Sequence, residues 1–157
     1  MSKYITGIGS RDVSPEIGQL LTTRCYELCS NGYVLRSGGA EGSDTYCEYG
    51  CDLAKGKKEI FLPWRNFNGN RSILFDPSPD AFEIASTLHP VWDSLKDSVK
   101  RLHARNVHQI LGLDLKSPSA MVICYTEGGE IKGGTATALK LALRYNIPIE
   151  NLGKTNE

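Results

Sequence analysis

No apolar run in the chain approaches the ~20 residues that a membrane-spanning helix needs, which excludes an ordinary transmembrane segment. The opening residues, Met-Ser-Lys-Tyr, bring no apolar signal-peptide segment, so a cytoplasmic protein without a membrane partner is expected. Net charge is missing too. Eighteen basic residues balance eighteen acidic ones at a pI near 6.8. The totals hold no basic stripe of the kind that anchors non-specific DNA binding, although a local patch would escape this count, and a nucleic-acid partner is not expected. Histidine is scarce: His89, His103 and His108 share no metal-ligand spacing and read as surface or helix-packing residues. The five cysteines, at 25, 29, 47, 51 and 124, are odd in number and form no disulfide framework. Cys25/Cys29 and Cys47/Cys51 are i, i+4 pairs, each on one helix face. They read as small buried hydrophobes, a four-cysteine metal site being the alternative. Neither a metal nor a resident cofactor is expected. Internal repeats and low-complexity segments are absent.

What is present is an ordinary globular composition, 40% hydrophobic and 23% charged over 157 residues, enough for one domain across 1–157. Strand and helix signals alternate. Tyr4–Gly9 is a short β-type run. Ser14 as N-cap with Pro15 behind it opens a helix that Asn31-Gly32 ends. Tyr33–Arg36 is a second strand and Ser43–Ala54 a second helix; Glu59–Leu62 is a third strand, stopped by Pro63. Residues 64–79 show no periodicity, and a loop this long suggests a lid or binding loop. Asp80–Leu88, with Asp80 as a possible cap, and Leu95–Leu111 read as helices. Met121–Tyr125 is the fourth strand, Thr135–Tyr145 the last helix, and Ile147–Leu152 the last strand, its Pro148 marking an edge. The tail Gly153–Glu157 reads as frayed. This order predicts an α/β fold: a doubly wound, mostly parallel sheet of about five strands with helices on both faces.

In such a sheet ligands bind beyond the carboxyl ends of the strands, where the strand order reverses. If the first strand is central, the loops after the first and fourth strands flank that crevice. The first contributes Gly9, Ser10 and Arg11, the second Thr126, Glu127 and Gly133-Gly134-Thr135. The loop Ser37-Gly38-Gly39-Ala40-Glu41-Gly42 lies beside them, running into Ser43 and Asp44. Glycines at a helix start let backbone N–H groups approach an anion. Thr135 either donates a hydroxyl to a phosphate or caps its helix. Arg11 suits a bidentate phosphate contact. Ser37, Ser43 and Asp44 stand where a helix begins, so capping is their plain role; Asp44 could instead bind ribose hydroxyls. Trp64, beside Arg65, and Phe67 are candidates for stacking on a base. Arg105-Asn106 interrupts an amphipathic helix and points to the pocket.

The Ser37-to-Asp44 segment resembles the "SGGAxGxD" loop of DprA-type proteins, and Gly133-Gly134-Thr135 resembles the "GGxGT" loop of LOG proteins. By these two loops the chain resembles the SLOG superfamily, which joins the DprA/Smf and LOG families, over about residues 3–152. Its small stand-alone prokaryotic and phage members are the nearest in character. The resemblance implies a Rossmann-like domain that binds a nucleotide or nucleotide-derived small molecule through those loops, and a homo-oligomer. LOG enzymes hydrolyse the N-glycosidic bond of nucleoside 5′-monophosphates with an arginine and acids in the helix after the glycine loop. Here that helix continues Ala136-Thr137-Ala138-Leu139-Lys140 without an acid. DprA proteins bind single-stranded DNA, usually with extra domains and a basic surface. The first expectation is therefore a nucleotide binder without turnover. The alternatives are an N-glycosidase using Glu41, Asp44 or Glu127, and a DprA-like single-strand binder.

Overall fold

The computed structural model describes residues 2–154. Its five strands are β1 (Tyr4–Gly9), β2 (Val34–Ser37), β3 (Lys58–Ile60), β4 (Met121–Tyr125) and β5 (Ile149–Asn151). They form one parallel sheet in the order β3-β2-β1-β4-β5. The expected α/β class, central first strand and edge position of the last strand are all observed. β1 runs in register with β4 from Ile5↔Met121 to Gly9↔Tyr125, so the two strands end together. Between them the chain order reverses, because β2 and β3 lie on one side of β1 and β4 and β5 on the other.

Helices α1 (Pro15–Ser30) and α2 (Ser43–Leu53) cover one face of the sheet; α3 (Pro79–Ser86), α4 (Asp97–Leu111) and α5 (Ala136–Arg144) cover the other. A strand buried on both faces reads as a continuous apolar run rather than an alternation. β1 and β4 do so, and their side chains divide between two cores. Ile5 and Ile123 pack with Leu21, Cys25 and Cys47 on the α1/α2 side. Ile8, Val122 and Cys124 pack with Val107, Ile110, Leu139 and Leu141 on the other.

The cysteines belong to these cores. All five are buried and free, and Cys25, Cys29, Cys47 and Cys51 meet where α1 crosses α2. Hydrogen bonding to Cys51 and then burial push the Cys29 thiol up, hydrogen bonding to Cys25 and then burial push the Cys47 thiol up, and burial raises Cys124 to about 12. Among the described residues no group of three or more His, Cys, Asp or Glu is placed to hold a metal ion, and no helix is long and apolar enough to cross a membrane.

Several local expectations are corrected. Ser14 caps α1 by accepting from the Ile17 N–H at 3.2 Å, but Asp80 does not cap α3; Ser78 does, with Pro79 behind it. α4 starts at Asp97 rather than Leu95, after a 3₁₀ turn at Trp92–Ser94. Thr135 makes no side-chain cap; a 3₁₀ turn, Gly133–Thr135, leads into α5 instead. The tail is held as far as the structure describes it, Gly153 N–H donating to Asn151 Oδ1 at 2.9 Å and Lys154 N–H to the Asn151 carbonyl at 3.2 Å. Residues 155–157 of the expected frayed end lie outside the described residues.

Candidate functional site

β1 and β4 end at the same level, so the loops that follow them meet above the switch point. The β1 loop is held down by Ser10 N–H, which donates to the Tyr125 carbonyl at 2.8 Å. The β2 loop is tied to it in turn. Ser43 donates to the Ser10 carbonyl twice, through its backbone N–H at 3.1 Å and its hydroxyl at 2.8 Å. Gly42 makes this approach possible. Its φ is +77°, and a Cβ there would collide with the Arg11 backbone carbonyl. The N-cap of α2 is therefore Gly42 without a side-chain bond, and Ser43 secures a neighbouring loop rather than capping its own helix.

Between these loops, α4 and the glycine turn before α5 lies a cavity of about 670 Å³, of the size that small-molecule ligands occupy. Gly9, Ser10 and Arg11 form one wall, Thr126, Glu127 and the Gly133-Gly134-Thr135 turn another, and Asp44, Arg105 and Asn106 line it as well. A Cβ built on Gly133 or Gly134 would meet nothing within 4 Å, and Gly133 holds a φ of +67°. The turn thus presents bare backbone to open space at the start of a nine-residue helix, the arrangement that favours an anion. Asn106 buttresses it, donating to the Gly134 carbonyl at 2.6 Å. Arg11 is exposed and makes no ion pair among the described residues. Lys132 lies at the same edge and pairs with Glu127 and Glu130, each at 3.4 Å.

The buried floor is charged. Asp44 is 3% and Arg105 5% exposed. They lie on either side of Gly38, where a Cβ would fall 2.8 Å from both Arg105 Nη1 and Asp44 Oδ2. Arg105 donates to the carbonyls of Gly38 and Phe61 and to Asn106 Oδ1. Asp44 Oδ2 accepts from the Ala40 N–H at 3.3 Å, while Oδ1 is buried with no partner among the described residues. Burial drives the Asp44 carboxyl up to about 6, against the opposing pull of Arg105 and the Ala40 amide. Burial likewise lowers Arg105 to about 10, opposed by Asp44.

Other residues singled out in the sequence sit elsewhere. Ser37 donates to the Gly7 carbonyl at 2.6 Å inside the sheet. Gly38 makes room for Arg105 and Asp44, Gly39 packs on Leu62, and Glu41 is exposed and does not line the cavity. Trp64 and Arg65 also lie away from it. Trp64 stands edge-on to Phe67, with ring centroids 5.3 Å apart, and the guanidinium of Arg65 lies 5.9 Å from the Phe75 ring centroid. The long loop, residues 64–79, does not line the cavity. Leu62 N–H donates to the Leu74 carbonyl at 2.7 Å and Asn68 to the Gly39 carbonyl at 3.1 Å, so the loop braces the β2 loop from outside. The Phe67 ring, 5.4 Å from the Arg105 guanidinium, belongs to this brace.

The cavity also has walls that the sequence did not announce: His89, Val99, Leu102, His103 and Lys132. Val99, Leu102 and His103 do share the helical spacing of Arg105-Asn106 along α4, the one signal that could have found them.

The fold and this crevice define a Rossmann-like α/β domain with a ligand-sized cavity at the carboxyl ends of β1 and β4. Its fold is shared by DNA processing protein A from Helicobacter pylori, a structure concerned with single-stranded DNA binding, at TM-score 0.61 and 23% identity over 98% of this chain and 68% of that one. It is shared too by the molybdenum cofactor carrier protein MCP from Chlamydomonas reinhardtii, at TM-score 0.57 and 18% identity over 97% of this chain and 78% of that one. No protein-family model and no curated protein sequence matches the chain.

Proposed function

We propose that the protein is a SLOG-type binder of a phosphorylated nucleoside or a related nucleotide-derived small molecule, held in the cavity between the β1, β2 and β4 loops. The observation that carries this reading is Asp44. A carboxylate oxygen buried without a partner is costly, and here it belongs to a residue that lines the same cavity as an open glycine turn at a helix start. A ligand that brings a hydroxyl donor for Asp44 and a phosphate for Gly133–Thr135 and Arg11 answers both ends. Ribose joined to phosphate is the common chemical unit with that pair of groups.

Hydrolysis of the N-glycosidic bond is a second reading, favoured by one observation: the Asp44 carboxyl is raised into the range where a carboxyl group serves as a general acid. Against it stand the exposed positions of Glu41 and Glu127 and the acid-free start of α5. The fold likeness to a protein studied for single-stranded DNA binding keeps an oligonucleotide among the ligands to be tried.

The test is calorimetric titration of the full chain with a panel of nucleoside 5′-monophosphates, alongside chromatography for free base and an oligothymidylate arm run at two salt concentrations. Micromolar-to-millimolar binding without base release is expected. Arg11→Ala should weaken it about tenfold or more, as loss of a charge-assisted contact does. Base release would establish the hydrolase instead. Salt-dependent oligonucleotide binding with no mononucleotide binding would replace the small-molecule reading.

A further inference from the structure

We propose that the α4 side of the cavity is a base-recognition subsite, in which His89 and His103 engage the planar heterocycle of a nucleoside phosphate. This rests on the nucleotide reading above and adds which end of the ligand faces α4.

The cavity is chemically divided. Its β-loop side offers backbone amides, Arg11 and Lys132; its α4 side offers His89, Val99, Leu102 and His103. The second set is the apolar and aromatic lining that a base requires and a phosphate does not.

His103 is the pointed observation. It is 6% exposed, and its Nδ1 is 2.7 Å from the Thr137 hydroxyl. Thr137 stands in the first turn of α5, directly after the glycine turn, so one helix fixes both the anion end and the imidazole. Among the described residues Nε2 of His103 has no hydrogen-bond partner, in a ring that lines the cavity. His108, on the same helix, shows what a purely structural buried histidine looks like: its Nε2 accepts from the Ser78 N–H at 3.1 Å and its Nδ1 reaches the Gly112 carbonyl at 3.0 Å. His103 has one nitrogen spoken for and one left to a ligand.

The neighbours of His103 complete the subsite. The His89 ring stands 4.8 Å away at 64°, and its Nδ1 accepts from the Val91 N–H at 3.2 Å, which fixes its orientation. The Trp92 ring lies edge-on to His103, 6.5 Å away at 61°. Burial first, then the nearby His89, Arg105 and Lys140, hold His103 down to about 4. It is neutral at physiological pH, so it can meet a base by face or by edge without having to shed a proton.

The experiment compares adenosine 5′-monophosphate and cytidine 5′-monophosphate with ribose 5-phosphate, which lacks the base, on wild type, His103→Ala and Val99→Trp. Wild type should bind the nucleotides about tenfold or more tighter than ribose 5-phosphate, the increment that one stacked base typically brings. His103→Ala should lower the nucleotides toward the ribose 5-phosphate affinity and leave ribose 5-phosphate unchanged. Val99→Trp, at a half-buried position on the cavity wall, should do the same by filling the subsite, and it serves where His103→Ala folds poorly. A purely structural effect would weaken all three ligands together. Equal wild-type affinities for nucleotide and ribose 5-phosphate, or a nucleotide preference that survives both substitutions, would overturn the subsite while leaving phosphate binding intact. If none of the three compounds binds, the nucleotide reading falls and the subsite with it.

Discussion

Arg105→Leu should cost the fold about 3–5 kcal/mol, because two buried carbonyls and Asn106 Oδ1 lose their donor and each such acceptor left unsatisfied costs about 1–3 kcal/mol. The guanidinium supplies the hydrogen bonds that the Gly38 and Phe61 carbonyls receive in a buried site, and the nearest positive charge acting on Asp44. Leucine fills part of the volume and none of those needs. The loss should also depend on pH in a direction that a simple packing defect does not share. Without Arg105 the Asp44 carboxyl moves further up. A group whose folded-state pKa is raised gives stability that is complete at low pH and is lost as pH rises through that value. The variant should therefore fall further behind wild type at pH 8 than at pH 5. Urea unfolding followed by circular dichroism at the two pH values reads both effects. Arg105→Lys keeps the charge but loses the planar fork, and should fall between wild type and leucine. An Arg105→Leu chain of unchanged stability would show that the buried floor of the cavity is not held as described.

Asp44→Asn should separate stability from binding. In wild type the carboxyl titrates near 6 in the folded chain, against an ordinary value of 3.8. Its contribution to stability is thus fully present below 3.8 and lost as pH rises through about 6, a difference on the order of 3 kcal/mol at neutral pH. Asparagine carries no such penalty. The melting temperature of the variant relative to wild type should therefore climb between pH 4.5 and pH 8, by several degrees for a chain of this size. Over the same range ligand affinity should fall about tenfold to a hundredfold, because a charge-assisted acceptor has become a neutral amide. Wild-type affinity should rise through pH 6 as Asp44 ionises, with an inflection that the variant lacks beyond that of the phosphate itself. A variant that gains stability at high pH and keeps full affinity would remove Asp44 from the ligand site. Such a trade between stability and function is common where a polar group is held in place for a ligand.

Much of this was readable in the chain. The succession of strands and helices followed from alternating apolar runs and helix signals, whereas the central place of β1 was an assumption that the structure bears out; the glycine turn at Gly133-Gly134 was marked by composition alone, because few other residues leave a backbone bare. The placement of Arg105-Asn106 on the cavity wall was legible as a polar break in the apolar stripe of α4. What could not be read was contact at long range. Trp64 and Arg65 had the right chemistry for a base and an anion, but the pairing of Leu62 with Leu74 turns their loop outward. His103 looked like a packing residue, since nothing local tells a satisfied imidazole from one with a free nitrogen. That distinction depends on Thr137, 34 residues away. The role of Ser43 was hidden for the same reason: its hydroxyl serves the β1 loop, 33 residues earlier.

The most direct measurement follows backbone amide resonances of the isotope-labelled chain during titration with adenosine 5′-monophosphate. Binding in the cavity predicts saturable shifts concentrated at Gly9–Arg11, Thr126 and Gly133–Thr135, with the α1/α2 face of the sheet undisturbed. Shifts confined to that opposite face, or none at millimolar nucleotide, would contradict it.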